Sequence, residues 1–292
     1  MLKLSLSDRM FQIANHLFLA LMAVLCILPM VHVLAVSLSS DYATTSYLVK
    51  FWPIGWNLDA YKAALESNNF IVAFKVSVLR TVLGTLLTMF LTMLAAYSMS
   101  KDDRYFKGRT LYAWFFVFTM LFHGGLIPTY LVVQKSGLTN SIAALILPVA
   151  VNVFNVVLMM NFFRGIPKEL EEASMIDGAG HFRVLFTIFF PISLPSIATL
   201  SLFTMVFHWN SWFDGMIYMN QADQFPLATF LQALIAGFDY TKIGLNPSDL
   251  EQLSERSLKS ALMFIGIFPI LLVYPFLQKY FVKGMTLGSV KE

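Results

Sequence analysis

The sequence predicts an all-α polytopic membrane protein with six transmembrane helices, and three observations lead to this fold class. Of the 292 residues, 58% are hydrophobic and 13% are charged, against about 45–50% and about 25% in ordinary soluble domains. Apolar runs recur at about 20 residues, the length that a helix needs to cross the hydrocarbon core of a bilayer. Lysine and arginine gather in alternate loops between these runs, as in multi-pass proteins.

The six apolar segments form a single transmembrane domain over residues 1–292, and an even number of spans puts both termini on one side. The spans are predicted at about 12–38, 71–99, 111–133, 141–162, 186–210 and 258–279. Basic residues are retained on the cytoplasmic face. They flank the termini and two of the loops: Lys3, Arg9, Lys101, Arg104, Lys107, Arg109, Arg164, Lys168, Arg183, Lys279, Lys283 and Lys291. The sequence therefore predicts cytoplasmic termini, a cytoplasmic stretch at 163–185, and outward loops at 39–70 and 211–257.

The first span is too long for the core of a cleaved signal peptide and is interpreted as a retained signal anchor. It contains Cys26, the single cysteine of the chain, so the sequence excludes an intrachain disulfide and a multi-cysteine metal site. In the loop that follows, residues 57–59 favour the start of a short helix that runs to Leu65. Trp52 and Trp56 are typical of the interfacial aromatic belt, and a docking surface for an external protein is the alternative.

Prolines inside the spans predict kinks, because a proline has no amide hydrogen and leaves a carbonyl group of the helix without its usual partner. Membrane helices tolerate such kinks, because neighbouring helices can satisfy the free carbonyl groups. A bundle with such kinks is able to rearrange. The prolines are Pro29, Pro128, Pro148, Pro191, Pro195, Pro269 and Pro275.

The cytoplasmic stretch predicts a short helix at about 167–180. Pro167 suits the first helical position, Glu171 and Glu172 follow in the opening turns, and Gly178 and Gly180 end the helix or let it turn. A helix that rested on anionic lipid would be rich in Lys and Arg, whereas this one is acidic. Its small residues let the backbone of another protein approach closely, which favours protein docking over an interfacial linker.

This stretch resembles the coupling-helix signature of binding-protein-dependent ABC importer permeases. The resemblance rests on Glu172-Ala173-Ser174, then Asp177-Gly178-Ala179, then Phe186, Ile188, Pro191 and Pro195. Ser174 stands where the family often has a second alanine. The resemblance implies the ABC type I importer permease fold with a cytoplasmic coupling helix. The residues implied to couple the chain to an ATPase are Glu171, Glu172, Ala173, Ser174, Asp177, Gly178 and Ala179.

The resemblance extends over the whole chain and narrows to the carbohydrate permeases of the maltose-transporter class. Within that class, the runs at 124–131 and 274–284 are similar to permeases for complex polysaccharide and aldouronate uptake. It implies a second homologous permease in a heterodimer, an ATPase dimer that holds ATP and Mg, an extracytoplasmic solute-binding protein and an oligosaccharide substrate. The location implied is the bacterial plasma (inner) membrane. The chain itself has no phosphate-binding glycine loop of the P-loop type, and no cofactor is expected on it.

Polar residues within the spans are candidates for a solute path, because they are costly in lipid. The candidates are His123, Asn152, Asn155, Trp209, Asn210 and Trp212. Asn152 and Asn155 are expected on one helical face, where interhelical hydrogen bonding is the alternative. His123 is interpreted as a packing histidine rather than a proton relay. The tryptophans either stack on carbohydrate or belong to the aromatic belt.

Other function classes are less consistent with the residues present. Lys75 and Arg80 are expected to extend to headgroups near the outer end of the second span, with the mouth of an anionic-sugar path as the alternative. No acid falls deep within the apolar segments, which disfavours a secondary carrier. Glu171 and Glu172 point to different sides of a helix, so no paired acid–base site and no enzyme is predicted. The net charge of +3 gives no indication of nucleic acid, and no metal site is predicted.

Overall fold

A computed structural model describes residues 6–236 and 254–289, and the regular structure in these residues is entirely helical. Lys3, Lys291 and most of the second outward loop, at 237–253, lie outside them. The α-helices are α1 (Leu6–Ser37), α2 (Asp41–Thr45), α3 (Asp59–Glu66), α4 (Asn68–Ser100), α5 (Arg109–Leu121), α6 (Leu126–Lys135), α7 (Ile142–Ile146), α8 (Val153–Arg164), α9 (Lys168–Ile176), α10 (His181–Val184), α11 (Phe190–Ile192), α12 (Leu194–Asn210), α13 (Phe213–Tyr218), α14 (Leu227–Ile235) and α15 (Glu255–Ser289). Leu147–Val149 and Ala222–Gln224 form 3-10 helices, and Leu185–Phe189 forms a π-helix.

Three helices are long and apolar enough to cross a membrane unaided. They are Ser7–Ser37, Asn68–Ser100 and Glu255–Pro275, and they correspond to the spans predicted at 12–38, 71–99 and 258–279. Pro29 lies inside α1 and Pro269 and Pro275 lie inside α15, so these prolines are accommodated without ending the helix.

The other three predicted spans are bent pairs of helices rather than single rods. The segment predicted at 111–133 comprises α5 and α6 at 113°, that at 141–162 comprises Ile142–Val149 and α8 at 52°, and that at 186–210 comprises His181–Ile192 and α12 at 84°. In the first and third pairs a proline, Pro128 or Pro195, lies in the opening turn of the second helix. Proline is accepted there because the first amide groups have no intrahelical partner. Six spans result if each bent pair is one span.

The chain divides into two compact units, and the larger comprises Val72–Gln232 and Pro269–Glu292. Its main core brings together side chains of α4, α8, the π-helix and α12. Phe189 of the π-helix makes edge-to-face contacts with Tyr97 and Phe163, at 5.0 and 5.3 Å between ring centres. The buried members of this core are Met89, Ala96, Tyr97, Met99, Val156, Met159, Phe163, Ile166, Val184, Leu185, Phe189 and Leu200.

The smaller unit comprises Met1–Ile71 and Ala233–Phe268. The predicted short helix of the first outward loop is present as α3, and Asn57 Oδ1 accepts a hydrogen bond from the Asp59 amide at 2.8 Å. Tyr61 attaches α3 to the end of α1 through its hydroxyl, which lies 2.7 Å from Ser37 Oγ. Trp52 and Trp56 are 83% and 75% exposed, which suits either the aromatic belt or a docking surface.

Large apolar side chains are exposed along several helices. The most apolar window of α1 is without a buried residue, and α5 likewise buries none of its thirteen residues. Burial of apolar surface is a dominant favourable term in folding, so these faces fit a chain surrounded by lipid rather than by water.

Candidate functional site

The predicted coupling helix is α9, and it is shorter than the sequence indicated. It spans Lys168–Ile176, with Pro167 as its N-cap residue, instead of 167–180. It ends because Gly178 has φ +81°, a left-handed conformation that glycine adopts at little cost. The Gly178 amide donates to the Met175 carbonyl and the Ala179 amide to the Ser174 carbonyl, each at 3.0 Å. The residues after Ile176 are therefore a closing turn that satisfies the free carbonyls of the helix.

The two neighbouring glutamates of α9 point in different directions. Glu171 turns toward the chain and its Oε1 lies 2.5 Å from Lys101 Nζ, with the two side chains 17% and 9% exposed. Glu172 is exposed. Successive residues of a helix are about 100° apart, since a turn takes about 3.6 residues, so one carboxylate faces inward while the other is free to meet a partner.

Lys101 occupies a pocket of aromatic rings just beyond the end of α4. Its Nζ lies 3.8 Å from the centre of the Tyr97 ring and 4.4 Å from that of Phe189. Burial lowers the pKa of Lys101, and the hydrogen bond to Glu171 opposes that shift. The Tyr97 hydroxyl also lies 3.2 Å from His181 Nδ1 and 3.5 Å from Glu171 Oε1.

A second ion pair joins the same two parts of the chain at the surface. Lys168 Nζ lies 2.6 Å from Asp102 Oδ2, and both side chains are at least half exposed. The hydrogen bond to Lys168 lowers the pKa of Asp102, and the same bond raises the pKa of Lys168. Arg164, at the end of α8, adds a hydrogen bond to the Met99 carbonyl at 3.3 Å.

The outer face of α9 combines small, acidic and apolar residues. Glu172, Ala173, Asp177 and Gly178 are exposed, whereas Ser174 and Ala179 are half-buried. Ile176 is 86% exposed, and Phe182 in the next helix is 68% exposed. Sequence reasoning overlooked these two. The signal available was a large apolar side chain in a short polar helix, at a position that no apolar periodicity of the helix explains.

Asn152 and Asn155 do not share a helical face, contrary to the sequence-based expectation. Asn152 is the N-cap residue of α8, and its side chain accepts a hydrogen bond from the Asn155 amide at 3.2 Å. The span is broken at this point, so a periodicity that assumed one continuous helix fails. Asn155 is buried and donates to Thr204 Oγ1 of α12 at 3.2 Å. This is the interhelical hydrogen bond that the sequence left as the alternative.

The remaining candidates for the solute path lie at breaks between helices. His123 is exposed in the non-helical link between α5 and α6. Trp209 is buried and meets Phe74 edge to face at 5.8 Å. Asn210, which ends α12, is exposed, and Trp212 is 39% exposed in the link that follows. The structure thus brings Trp209, Asn210 and Trp212 to one break.

Arg80 organises that break, and the expectation that it extends to headgroups was wrong. Its side chain is fully buried and forms a two-pronged ion pair with Asp214, in which one nitrogen–oxygen distance is 3.2 Å. The same guanidinium donates to the Ser211 carbonyl at 2.9 Å. Asp214 lies just beyond the fifth predicted span, so the partner of Arg80 is not among the residues of the apolar segments. Its carboxylate neutralises Arg80, which removes that residue from any path for anionic sugar.

His208 packs against α4 next to this ion pair. A Cβ atom on Gly84 would lie 2.5 Å from His208 Nε2, so the absence of a side chain at Gly84 makes the close approach of α12 possible. Within the described residues, no group of three or more His, Cys, Asp or Glu side chains is arranged to hold a metal ion.

Comparison with known proteins gives consistent matches over the chain. The model of the family described as binding-protein-dependent transport system inner membrane component matches residues 71–287. The chain is 40% identical over 291 residues to the polygalacturonan/rhamnogalacturonan transport system permease protein YtcP of Bacillus subtilis strain 168, covering 98% of this chain and 100% of that protein. It is also 40% identical over 285 residues to Protein LplC of the same strain, covering 98% and 96%.

The fold matches that of a solved transporter. A chain in the crystal structure of a bacterial ABC transporter involved in the import of the acidic polysaccharide alginate is similar with a TM-score of 0.88 and 29% identity. The match covers 96% of this chain and all of that one.

Proposed function

Because this chain belongs to the family of binding-protein-dependent transport system inner membrane components, we propose that it passes polysaccharide-derived oligosaccharides through the membrane on energy supplied by a separate ATPase. As a member of this family it is a permease subunit of an ABC importer of sugars, and its proposed role is translocation without a chemical reaction on this chain. A solute-binding protein on the outer side delivers the substrate.

The observation that carries the proposal is the exposed outer face of α9. This helix buries none of its nine residues. The side that faces away from the rest of the chain presents Glu172, Ala173 and Ile176. Small residues allow a close backbone approach, and Ile176 offers an apolar contact that is exposed to water in the isolated chain. Such a face suits insertion into a cleft on an ATPase.

The proposed assembly contains this chain, a second homologous permease and an ATPase dimer that binds ATP and Mg. Movement of the ATPase subunits on nucleotide binding would be passed to α9, which lies between the fourth and fifth predicted spans. Both termini would lie in the cytoplasm, as the distribution of basic residues favours.

For the substrate we propose uronate-containing oligosaccharides. The support is the 40% identity to a permease named for polygalacturonan and rhamnogalacturonan, and the similarity to a chain of an importer of acidic alginate. The path is proposed to include the break at Trp209, Asn210 and Trp212, with His123 and the cap at Asn152 as further contacts.

The test is uptake by proteoliposomes that contain this chain, its permease partner and the ATPase, supplied with the solute-binding protein and ATP. Gly178→Trp and Glu172→Lys are expected to reduce both copurification of the ATPase and uptake by at least about tenfold, the effect of losing roughly 1.4 kcal/mol of binding.

Gly137→Trp is the matched control. Gly137 also follows a helix with a left-handed φ of +68°, has open space around it, and is closed by the same pair of hydrogen bonds. It therefore reproduces the backbone strain of the Gly178 variant at the end of α6. Full uptake in the absence of any ATPase would contradict the proposed function.

A further inference from the structure

We propose that Glu171 is a positioning residue that, through Lys101, anchors α9 to the end of α4, and that this internal anchor transmits the motion of α9 to the membrane helices. The inference rests on the proposed function and deepens it. It gives Glu171 a role within this chain, whereas resemblance alone would place it among the contacts to the ATPase.

α9 is held in place mainly by polar contacts. None of its residues is buried, so it has little apolar packing to fix its position. Among the described residues its side-chain attachments are the ion pairs Glu171–Lys101 and Lys168–Asp102 and a hydrogen bond of 3.5 Å from the Tyr97 hydroxyl to Glu171 Oε1. The Lys168–Asp102 pair is exposed, and exposed pairs contribute little because water screens them and both side chains lose entropy. The shielded Glu171–Lys101 pair therefore determines the position of the helix.

The anchor connects α9 to two further elements. Lys101 lies one helical turn after Tyr97, and its ammonium group contacts the faces of both Tyr97 and Phe189. Tyr97 belongs to α4, Phe189 to the π-helix at the start of the fifth predicted span, and Glu171 to α9. One ammonium group thus joins three elements.

The junction at Lys101 would carry a force on α9 to both of these elements. A displacement of α9 pulls on Lys101 and, through the two rings, on α4 and on the π-helix. The π-helix already departs from regular α-helical hydrogen bonding, and π-helical turns are common at functional sites. The cavity beside the anchor, about 270 Å³ and lined in part by Lys101, Glu171 and Phe189, leaves room for side chains to move.

The anchor and the docking face occupy opposite sides of α9. Glu172, Ala173 and Ile176 stay unchanged when Glu171 is altered. Loss of the anchor should therefore leave the ATPase bound and active while less of its motion reaches the path. An unfolded variant or one that cannot dock would lose the bound ATPase, so a bound and active ATPase with reduced uptake identifies loss of the anchor.

The experiment compares Glu171→Gln and Lys101→Met with wild type in the complete reconstituted complex. Oligosaccharide uptake and ATP hydrolysis are measured in the same vesicles, and ATPase copurification is measured in detergent. We expect copurification to be unchanged and uptake per ATP hydrolysed to fall about tenfold, within the usual range of coupling between two sites. Asp102→Asn, which removes the exposed pair between the same two segments, is the control and should retain the wild-type ratio.

A charge exchange separates the internal role from a contact with the ATPase. Glu171→Lys alone should abolish coupling, and Glu171→Lys combined with Lys101→Glu should restore a substantial part of it. If Glu171 contacted basic residues of the ATPase, the double variant would be no better than the single one, and the inference would be overturned. A wild-type ratio in Glu171→Gln would overturn it as well.

The failures of the two proposals are distinguishable. If the wild-type complex shows no ATP-dependent uptake, the proposed function fails. If the wild-type complex transports and the anchor variants transport equally well per ATP, only the anchor is refuted.

Discussion

Two ion pairs connect α4 and the residue that follows it to distant parts of the chain, and the two pairs differ in geometry and in their surroundings. Arg80 and Lys101 are 21 positions apart, which is about 30 Å along a helix and close to the thickness of the hydrocarbon core. Arg80 is sealed from solvent and binds Asp214 with two nitrogens and Ser211 with one of them. Lys101 makes one carboxylate contact beside an open cavity.

The difference follows from the side chains. The planar fork of arginine fixes a carboxylate in one orientation, whereas the ammonium of lysine is a point charge on a flexible stem. The Arg80–Asp214 pair therefore defines a rigid end of the larger unit. The pair at Lys101 holds α9 and still permits the helix to move.

The largest effect is expected from breaking the Arg80–Asp214 pair. Arg80→Met leaves the Asp214 carboxylate, which is 22% exposed, without its guanidinium partner. Loss of one member of a fully buried pair costs about 3–5 kcal/mol, which is the upper bound here because water reaches this carboxylate. Thermal unfolding in detergent should show a large fall in melting temperature, with loss of monodisperse protein.

Lys75→Met serves as the control, because Lys75 lies on the same helix and is exposed. Its melting temperature should match that of wild type. If Lys101→Met lowered the melting temperature as much as Arg80→Met, the distinction between a rigid and a movable end would be lost.

Gly84→Ala tests how closely the rigid end is packed. The added methyl group would lie within 3 Å of three atoms of the His208 ring, and such overpacking costs about 1–3 kcal/mol. The melting temperature should fall, by less than in Arg80→Met.

The double variant Gly84→Ala with His208→Ala supplies the internal check. Removing the ring makes room for the methyl group, so alanine at 84 should cost much less in the His208→Ala background. If Gly84→Ala lowered the melting temperature equally in both backgrounds, the contact with the His208 ring would be ruled out as the cause.

Gly178→Ala tests the backbone conformation that ends α9, the helix held by the pair at Lys101. No atom lies within 4 Å of the added methyl group, but the left-handed conformation costs an L-residue about 1–2 kcal/mol. Amide hydrogen exchange should become faster at the end of α9, without a change in the melting temperature.

Gly180→Ala is the control for this change. Gly180 lies in the same turn and has open space, but its φ of −75° suits any residue. Exchange in α9 should therefore stay at the wild-type rate, and faster exchange in both variants would argue against backbone strain.

The smallest effect belongs to the exposed pair of Asp102 and Lys168. Because Lys168 lowers the pKa of Asp102 below its ordinary value of 3.8, the pair stabilises the folded chain above that value. The contribution is lost as the pH falls through the lower, folded-state pKa. Asp102→Asn should thus differ slightly from wild type at neutral pH, and the difference should shrink as the pH falls below the ordinary Asp value and through the lower, folded-state pKa. Melting curves over this range provide the measurement, and a difference that grew on acidification would contradict the assignment.

Local sequence signals predicted the overall fold correctly. Length and apolarity identified the three unbroken helices, and the family resemblance and the importer fold are confirmed by the matches at 40% identity and at a TM-score of 0.88. Charge and small residues predicted a short helix at about 167–180, and the structure has one at Lys168–Ile176, because capping and glycine termination depend on adjacent residues.

Features that depend on distant residues were missed. The partner of Arg80 is 134 positions away, and nothing near Arg80 in the sequence indicates it. The inward turn of Glu171 depends on Lys101, which lies 70 positions earlier. The bends in three spans did not appear in the hydropathy pattern, because a break of a few residues leaves an apolar run intact, but the prolines in these spans, at 128, 148, 191 and 195, had predicted kinks there. The assignments of individual residues to coupling and to the solute path remain predictions.

The 134 positions between Arg80 and Asp214 also have a consequence for biosynthesis. A ribosome that adds about 5–20 residues per second needs roughly 7–27 s to synthesise that interval. During this time α4 has entered the bilayer with an arginine whose carboxylate does not yet exist, a costly arrangement in hydrocarbon. Until residue 214 emerges, the nascent chain carries an unpaired charge that membrane insertases and quality-control proteases can recognise. A chain truncated before Asp214 should therefore be degraded faster than one truncated shortly after it.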